Sequence, residues 1–455
     1  MIKFLTLFLG LVSGPQTVHV AVEEPVAAVE IRVGDRVLGR MDRAPFRLDV
    51  DLGQDLLPRR LEAVAFDAEG VELGRVAQIL NRPRPPAEAR VILERDGGGR
   101  ATAALLSWQS LEGRMPYRVS ATFDGQPLDA ADPSRVPLPD HDPKSFHFFH
   151  ARLEFAGGAV AVAQVSFGGT GAEVIGTELT AVPVALAKRG RAPDVRKLSS
   201  WFLEGGRAQP VASIEKGPGK VVIVRCSGVQ EAIERLEGRI SGGYGGVTTT
   251  SGASNSGSPN IAPMASSTLG DRERAALALG DEVGLHLLLP RAREVRHRYL
   301  GMELFVASPE ITPRQGGLYW ALTQTVILSG LAEESRIADA VAIAGLQAAT
   351  GSRRRAVVLI VGADAADGSR YGPAVVREFL RAVDVPLHVW RVGEDLAPLA
   401  GWPAATEIAD YRDLRRAVEE LRRDLERQRI VWLSGRHEPG RLTLAEGAGV
   451  GWLTR

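Results

Sequence analysis

The sequence predicts a multidomain chain: two β-sandwich modules followed by a doubly wound α/β domain. Three observations predict it. Short runs with apolar residues at alternate positions recur at regular spacing through residues 16–82, the pattern of half-buried strands. The run Pro83-Arg84-Pro85-Pro86 then interrupts the chain with a stiff, extended linker. From about Gly190, buried-type strands alternate with longer helical periodicities, as a parallel sheet covered by helices requires.

Composition narrows the function classes. At 455 residues the chain has length for about three domains. With 55 basic and 55 acidic residues its formal net charge is zero, so no global field draws it to nucleic acid or anionic lipid. Cys226 is the single cysteine, which excludes an intramolecular disulfide framework and thiolate-rich zinc sites. High Gly (50) and Pro (27) with few aromatics suit short strands joined by tight turns.

Lys3 followed by the apolar run Phe4 to Val12 has the form of a secretory leader, so residues 1–14 are read as a signal peptide. The following Ser13-Gly14-Pro15-Gln16 is a poor cleavage site. A second reading stays open, in which Leu7 to Val12 leads into a first strand or reflects a misplaced start codon. The run is too short to span a bilayer, and no other stretch reaches the ~18 apolar residues of a membrane helix.

Residues 15–83 hold the strand-like runs TVHVAV, VAAVEIRV, FRLDVDL, RLEAVAF and RVAQIL, bounded by turns such as Val33-Gly34-Asp35 and Asp67 to Gly70. The stretch Pro25 to Glu30, with Gly39, Ala44-Pro45-Phe46, Asp51-Leu52-Gly53 and Leu61 to Asp67 followed by Gly70, resembles a bacterial immunoglobulin-like domain. Residues 87–187 read as a second sandwich, from RVILERD, YRVSATFDG, FHFFHARLEF, AVAVAQVSFGG and ELTAVPVAL, with hairpin turns at Asp124-Gly125 and Gly157-Gly158.

The third region, residues 190–455, opens with the strand Lys220 to Val224 and a helix from Gln230 to Arg239. A Gly/Ser/Thr/Asn-rich insertion at 241–270 lacks the apolar residues to order itself and is expected to be a flexible loop. Glu282 to Leu289 and Tyr299 to Ala307 read as two strands of a hairpin around a basic segment. Helices follow at Gly317 to Leu331 and Ala332 to Thr350, then the strand Ala356 to Val361 and a helix from Pro373 to Ala382. The strand Pro386 to Val392, a charged helix from Tyr411 to Arg427 packing through Leu414, Val418, Leu421 and Leu425, and two last strands close the chain.

Three places in this region carry a resemblance. They are Val221 to Val229, an apolar strand running into Arg225-Cys226-Ser227-Gly228-Val229; Gln315-Gly316-Gly317-Leu318-Tyr319-Trp320-Ala321-Leu322; and Val357 to Val361 followed by Gly362-Ala363-Asp364. With the order of strands and helices, they resemble a von Willebrand factor type A (VWFA) domain, in particular bacterial VWFA-related proteins whose A domain follows immunoglobulin-like strands. The resemblance implies a Rossmann-like doubly wound fold and a role in protein–protein interaction or adhesion, with ligand engaged at the carboxyl end of the sheet.

It also implies a Mg²⁺ site, which this sequence has altered. The family's two aspartates, two serines and threonine supply hard oxygen ligands. Here Arg225 stands at the first aspartate, Val229 at the second serine and Val361 at the second aspartate, and Leu318 marks the absent threonine; only Ser227 persists. A guanidinium in place of a carboxylate opposes a divalent ion, so the expectation is a degenerate site with no metal and no cofactor. Asp364 and Asp367 lie just past the strand end, where solvated turn residues are the simpler reading. Arg225 has two readings: it engages a partner's carboxylate, or it pairs with a local acid such as Asp364 and holds the sheet end. Candidate interaction residues are Arg225, Ser227, Gly317, Leu318, Val361 and Asp364.

Other chemistry is weak. His147 and His150 have a helical metal spacing but fall in a strand, where they point to opposite faces. Gly217-Pro218-Gly219-Lys220 precedes its strand instead of following it, unlike a phosphate loop. Arg353-Arg354-Arg355 reads as a solvated turn and Arg291, Arg293, Arg296 and Arg298 as a surface cluster, neither sufficient for nucleic-acid binding. No nucleophile elbow or zinc-helix motif occurs. The expected function is a non-catalytic, secreted or periplasmic protein-binding module acting through the sheet end, with a purely structural or assembly subunit as the alternative and a hydrolase a distant third.

Overall fold

The computed structural model describes residues 2–454 apart from 7, 9, 23–25, 83–86, 97–99, 111–114, 131, 133, 144, 156–159, 169–178, 188–197, 199, 241–274, 298–299, 306, 312–316, 324–331, 363–365, 394–399, 436 and 438. Period-two alternation builds the first unit. Strands β1 (Ile2–Phe4), β2 (Pro15–Val22) and β5 (Arg47–Asp51) form one antiparallel sheet. Strands β3 (Ala28–Val33), β4 (Arg36–Met41), β6 (Arg59–Phe66) and β7 (Glu72–Leu80) form a second, in the order β4-β3-β6-β7. Val18 and Val20 of the first sheet meet Val29, Ile31, Leu61 and Ala63 of the other in one core, which makes the unit a sandwich. Gly34 turns β3 into β4 at φ 57°, as the Val33-Gly34-Asp35 turn predicts.

The stretch read as a leader is built into this sandwich. Ile2 pairs with Val22 and Phe4 with Val20, and Phe8 and Val12 are buried in its core. This matches the second of the two readings left open above, because an apolar run satisfies a sheet as well as a leader.

The second sandwich joins β8 (Ala87–Arg95), β9 (Ala101–Ser110) and β12 (Arg135–Pro137) to a sheet of β10 (Arg118–Phe123), β11 (Gln126–Leu128), β13 (Phe146–Glu154) and β14 (Val160–Gly168). Phe149, Ala151 and Leu153 of β13 point inward against Leu106 and Val136. Asp124 (φ 49°) and Gly125 (φ 79°) form the expected two-residue hairpin turn.

Here the structure departs from the sequence reading. ELTAVPVAL does not belong to the second sandwich: β15 (Leu179–Leu186) pairs antiparallel with β26 (Gln428–Ser434) near the other end of the chain. With β18 (Val211–Glu215) and β28 (Val450–Gly451) they form a four-stranded sheet. A second small sheet of β16 (Phe202–Glu204), β17 (Arg207–Ala208) and β27 (Leu442–Leu444) shares its core, where Val182, Val184, Phe202, Val431 and Leu442 meet. Residues 190–455 are therefore not one α/β unit. The α/β domain is an insertion between the two halves of a small β unit.

That domain has a five-stranded parallel sheet of β19 (Gly219–Arg225), β20 (Val283–Leu288), β23 (Arg354–Val361), β24 (Leu387–Val392) and β25 (Thr406–Ile408), in the order β20-β19-β23-β24-β25. Residues 307 and 311 bridge antiparallel to the outer edge of β20. The basic hairpin is shorter than expected, with β21 (Arg293–His297) against β22 (Leu300–Leu304), because Val283–Leu288 joins the parallel sheet instead. Helices α1 (Val229–Ile240), α2 (Gly317–Thr323), α3 (Ile337–Ala348), α4 (Pro373–Ala382) and α5 (Tyr411–Arg427) accompany it. Helix α5 buries Leu414, Val418, Leu421 and Leu425, the stripe its periodicity predicts, and Asp410 caps its start by accepting from the Asp413 amide. The insertion 241–270 lies outside the described residues.

Candidate functional site

The sheet order places a topological switch between β19 and β23, which are neighbours whose connections leave in opposite directions. Crevices in open α/β sheets form at the carboxyl ends of such strands. Here that position is occupied by Arg225 to Val229 and by Val361-Gly362. The two loops touch: a Cβ at Gly362 would lie 3.2 Å from the Ser227 carbonyl oxygen and 3.3 Å from the Val229 nitrogen. A larger residue would need the facing loop to give by a few tenths of an ångström. Gly228, at φ 77°, turns the chain from the strand into α1.

Arg225 faces away from the crevice. It is 5% exposed, and its Nη1 donates to the carbonyl oxygens of Ala321 at 2.8 Å and Leu322 at 2.9 Å, in α2. Burial pushes the guanidinium down to about 10, partly countered by Glu231, and it stays charged at neutral pH. The reading of Arg225 as a group presented to a partner is therefore corrected. Its side chain is a bolt between β19 and α2, with the carbonyls of Ala321 and Leu322 among its partners.

Ser227 is exposed, and Arg291 reaches it. Arg291 follows β20 at the same end of the sheet and its Nη2 donates to the Ser227 hydroxyl at 3.2 Å. Its backbone is fixed on both sides, since Pro290 accepts from the Arg336 amide at 2.7 Å and Ala292 from the Ala332 amide at 2.8 Å. The sequence reading placed Arg291 only in a basic cluster. Its position directly after the strand neighbouring β19 was the signal that could have singled it out.

The remaining candidates separate. Leu318 and Val361 are buried apolar residues at 2% and 1% exposure. Gly317 opens α2 at φ 52°. Asp364 lies outside the described residues. Asp367, read as a solvated turn residue, caps α3 from outside: its carboxylate accepts from the amides of Ile337 at 2.8 Å, Ala338 at 3.3 Å and Ser369 at 3.0 Å. Asp339, in the first turn of α3, accepts from the amides of Arg370 and Tyr371, both at 3.1 Å, and pairs with Arg336 at 2.6 Å. Cys226 is buried, and burial and the charge of Asp367 push its thiol up to about 12, which removes it as a nucleophile.

A Mg²⁺ ion does not fit these residues. It would meet a guanidinium, two buried aliphatic side chains and a hydroxyl already accepting from Arg291, where it needs several hard oxygens in octahedral array.

Two buried arginines overturn a further reading. Arg354 and Arg355 are 2% and 6% exposed, not part of a solvated turn. Arg354 donates to the Leu425 carbonyl in α5 at 3.1 Å and Arg355 to the Ala349 carbonyl past α3 at 3.3 Å. Burial lowers both, Arg355 to about 10. In β13, His147 faces the core and His150 the outer face, as strand geometry predicts.

The first sandwich reaches the α/β domain. Leu56 is 1% exposed within the α/β core, and the Ser13 hydroxyl lies 3.0 Å from that of Tyr371. Among the described residues no helix is long and apolar enough to cross a membrane.

No family model matches the chain, and no curated protein matches it. Similar solved structures include the fibronectin(III)-like modules of Clostridium thermocellum CbhA, 14% identical, covering 37% of this chain and 94% of that one at a TM-score of 0.16. The central fibronectin-III array of RIM-binding protein is 12% identical, covering 46% of this chain and 80% of that one at a TM-score of 0.22. A β-glycosidase from Bacteroides vulgatus is 12% identical, covering 37% of this chain and 24% of that one at a TM-score of 0.24. Scores this low carry no argument about this chain.

Proposed function

We propose that the protein is a non-catalytic, extracytoplasmic binding module of VWFA-related type, engaging a protein partner through the carboxyl end of its parallel sheet without a metal ion. The observation that supports this reading is the exposed Ser227, held by Arg291 at the switch between β19 and β23, the position where open α/β sheets take ligands. The replacement of family metal ligands by Arg225, Val229, Leu318 and Val361 supports the metal-free form. Export belongs to the proposal although Ile2, Phe4, Phe8 and Val12 pack in the first sandwich, and mass spectrometry of the mature amino terminus checks it.

The test is a displayed random-peptide library panned against the full chain. Binders should map by amide exchange to residues 226–229 and 290–292, and Ser227→Trp should abolish binding without changing the melt. Binders indifferent to Ser227→Trp would sink the reading.

Burial of Leu56 in the α/β core favours a second reading, a structural subunit whose α/β domain serves packing within the chain. Under that reading the same panning enriches nothing at the sheet end.

A further inference from the structure

We infer that Arg291 is the cation that replaces the metal at the sheet end, and that the partner it receives is an acidic peptide segment presenting one Asp or Glu carboxylate to Arg291 and Ser227. The inference rests on the sheet-end binding reading above and names the chemistry of its ligand.

Its basis is an unfilled donor set. Arg291 Nε is buried and has no hydrogen-bond partner among the described residues, and its Nη2 donates only to a neutral hydroxyl there. A guanidinium is satisfied by a carboxylate that takes Nε–H and Nη2–H together as a side-on fork. Both of those atoms belong to the same edge of the group. Ser227 accepts from Arg291, which leaves its own O–H free to donate, so three donors can converge on one carboxylate. Nη2 and Ser227 lie at the exposed end of the pair, and Nε is the inner donor of the fork.

Neighbouring charges agree on sign and size. Arg225 lies buried behind Cys226, and helix α1 starts at Val229 with its positive dipole end at the crevice. Glu231, in the first turn of α1, opposes them, whereas Asp367 is occupied by the amides of Ile337 and Ala338. Arg225 is held by Ala321 and Leu322, and Arg336 by Asp339. Among these described residues, the Arg291 guanidinium and the Ser227 hydroxyl are the pair that faces outward, which suits a singly charged planar carboxylate better than a phosphate demanding several cations.

The fixed backbone on either side of Arg291 sets the position of that cation before any ligand arrives, so little ordering accompanies binding.

The experiment starts from linear peptides enriched by panning a displayed library on the full chain. Each is synthesised with its acidic residue intact and as the matching amide, Asp→Asn or Glu→Gln, and measured by fluorescence polarisation. Arg291→Gln should weaken the acidic peptide roughly 10- to 100-fold, the range for a charge-assisted hydrogen bond. The amide peptide should lose a similar factor against the unaltered chain and nothing further against Arg291→Gln. Arg291→Lys should restore part of the affinity, since an ammonium keeps the charge but not the fork. A thermal melt and amide exchange keep a folding defect apart from a binding one. Peptides lost with Ser227→Trp but indifferent to both Arg291→Gln and the amide exchange overturn the carboxylate inference alone. Peptides indifferent to Ser227→Trp, or no enrichment at all, overturn the sheet-end reading with it.

Discussion

The Arg225 guanidinium lies 2.8 Å from the carbonyl oxygen of Ala321, so a cation at the end of the first parallel strand is held by the backbone of a helix. Arg354 and Arg355 repeat the device on the Leu425 and Ala349 carbonyls. Each cation donates to backbone carbonyl oxygens inside the domain, where a charge-assisted bond offsets the cost of its burial. Charges this deep are tolerated because a guanidinium is weakly hydrated and carries five donors.

Arg225→Met should therefore destabilise the α/β domain by about 2–4 kcal/mol, from the lost charge-assisted bonds to Ala321 and Leu322. The measurement is amide exchange across residues 219–225 and 317–323. A variant with unchanged protection there and lower peptide affinity would return Arg225 to the role of a presented group.

A melt in millimolar Mg²⁺ or Mn²⁺ should match one in chelator, because a ligand that binds only the folded state raises the midpoint. Arg225, Leu318 and Val361 supply no oxygen from their side chains to hold a divalent ion. An upward shift that Ser227→Ala removes would show a metal bound at this end of the sheet.

What the sequence showed and what it hid divide along one line. Local periodicity located the strands around Val29 and Ile31, the apolar strand Val221 to Val224 and the stripe of α5, because each pattern is complete within its own segment. Partner choice is not local. Nothing in ELTAVPVAL says that its partner is Gln428–Ser434, so a real strand was placed in the wrong unit. The strand β9, Ala-Thr-Ala-Ala-Leu-Leu-Ser-Trp-Gln-Ser, was passed over because alanine and serine carry little strand preference, and its pairing with β8 decides its state. At the site, the residue types of Arg225, Val229, Leu318 and Val361 are legible one by one. The direction of the Arg225 side chain is not, since it depends on where α2 packs against β19.

His147 should make the second sandwich pH-sensitive. Burial disfavours its charged ring, but the Asp124 carboxylate at 2.7 Å from Nδ1 and the Asp142 carbonyl at 2.8 Å from Nε2 outweigh it, and the pKa is raised. Both nitrogens face acceptors, so the doubly protonated ring satisfies both. His141 packs edge-on against it, and Phe123 and Phe167 complete its surroundings. A raised folded value means that the stabilisation is full below the unfolded value and is lost as pH rises through the folded one. Asp124, lowered despite some desolvation, works in the other direction and loses its share as pH falls through its own folded value. Amide exchange in residues 118–128 and 146–150 should quicken as the solution passes from mildly acidic to mildly alkaline, after correction for intrinsic exchange. His147→Asn should flatten that dependence; an unaltered profile would refute the assignment.

Gly168 should not tolerate alanine. It ends β14 at φ 82°, and an added Cβ would overlap the Ser145 carbonyl oxygen and stand 3.3 Å from the His147 ring. Backbone strain of about 1–3 kcal/mol adds to a clash that only backbone movement relieves. Gly168→Ala should lower the melting point and perturb the His147 ring resonances together. Gly125→Ala, with nothing within 4 Å of the added atom, isolates the conformational share.

Leu56 belongs by sequence to the first sandwich and by contact to the α/β core, where it is 1% exposed. A Leu56→Ala variant leaves a hole at the join, and the expected cost is about 2–5 kcal/mol depending on how far neighbours relax. The Ser13–Tyr371 pair sits at the same join, so Tyr371→Phe should cost less, about 1 kcal/mol, and the two effects should be less than additive if one interface holds both. Limited proteolysis separates the outcomes. If the first sandwich anchors the α/β domain, Leu56→Ala opens cleavage around residues 369–372 as well as in the sandwich. If the sandwich merely rests there, cleavage stays within residues 15–80. A coupled response would mean that sheet-end binding and the packing of the first sandwich share one scaffold, because Tyr371 is tied through its amide to Asp339 at the start of α3.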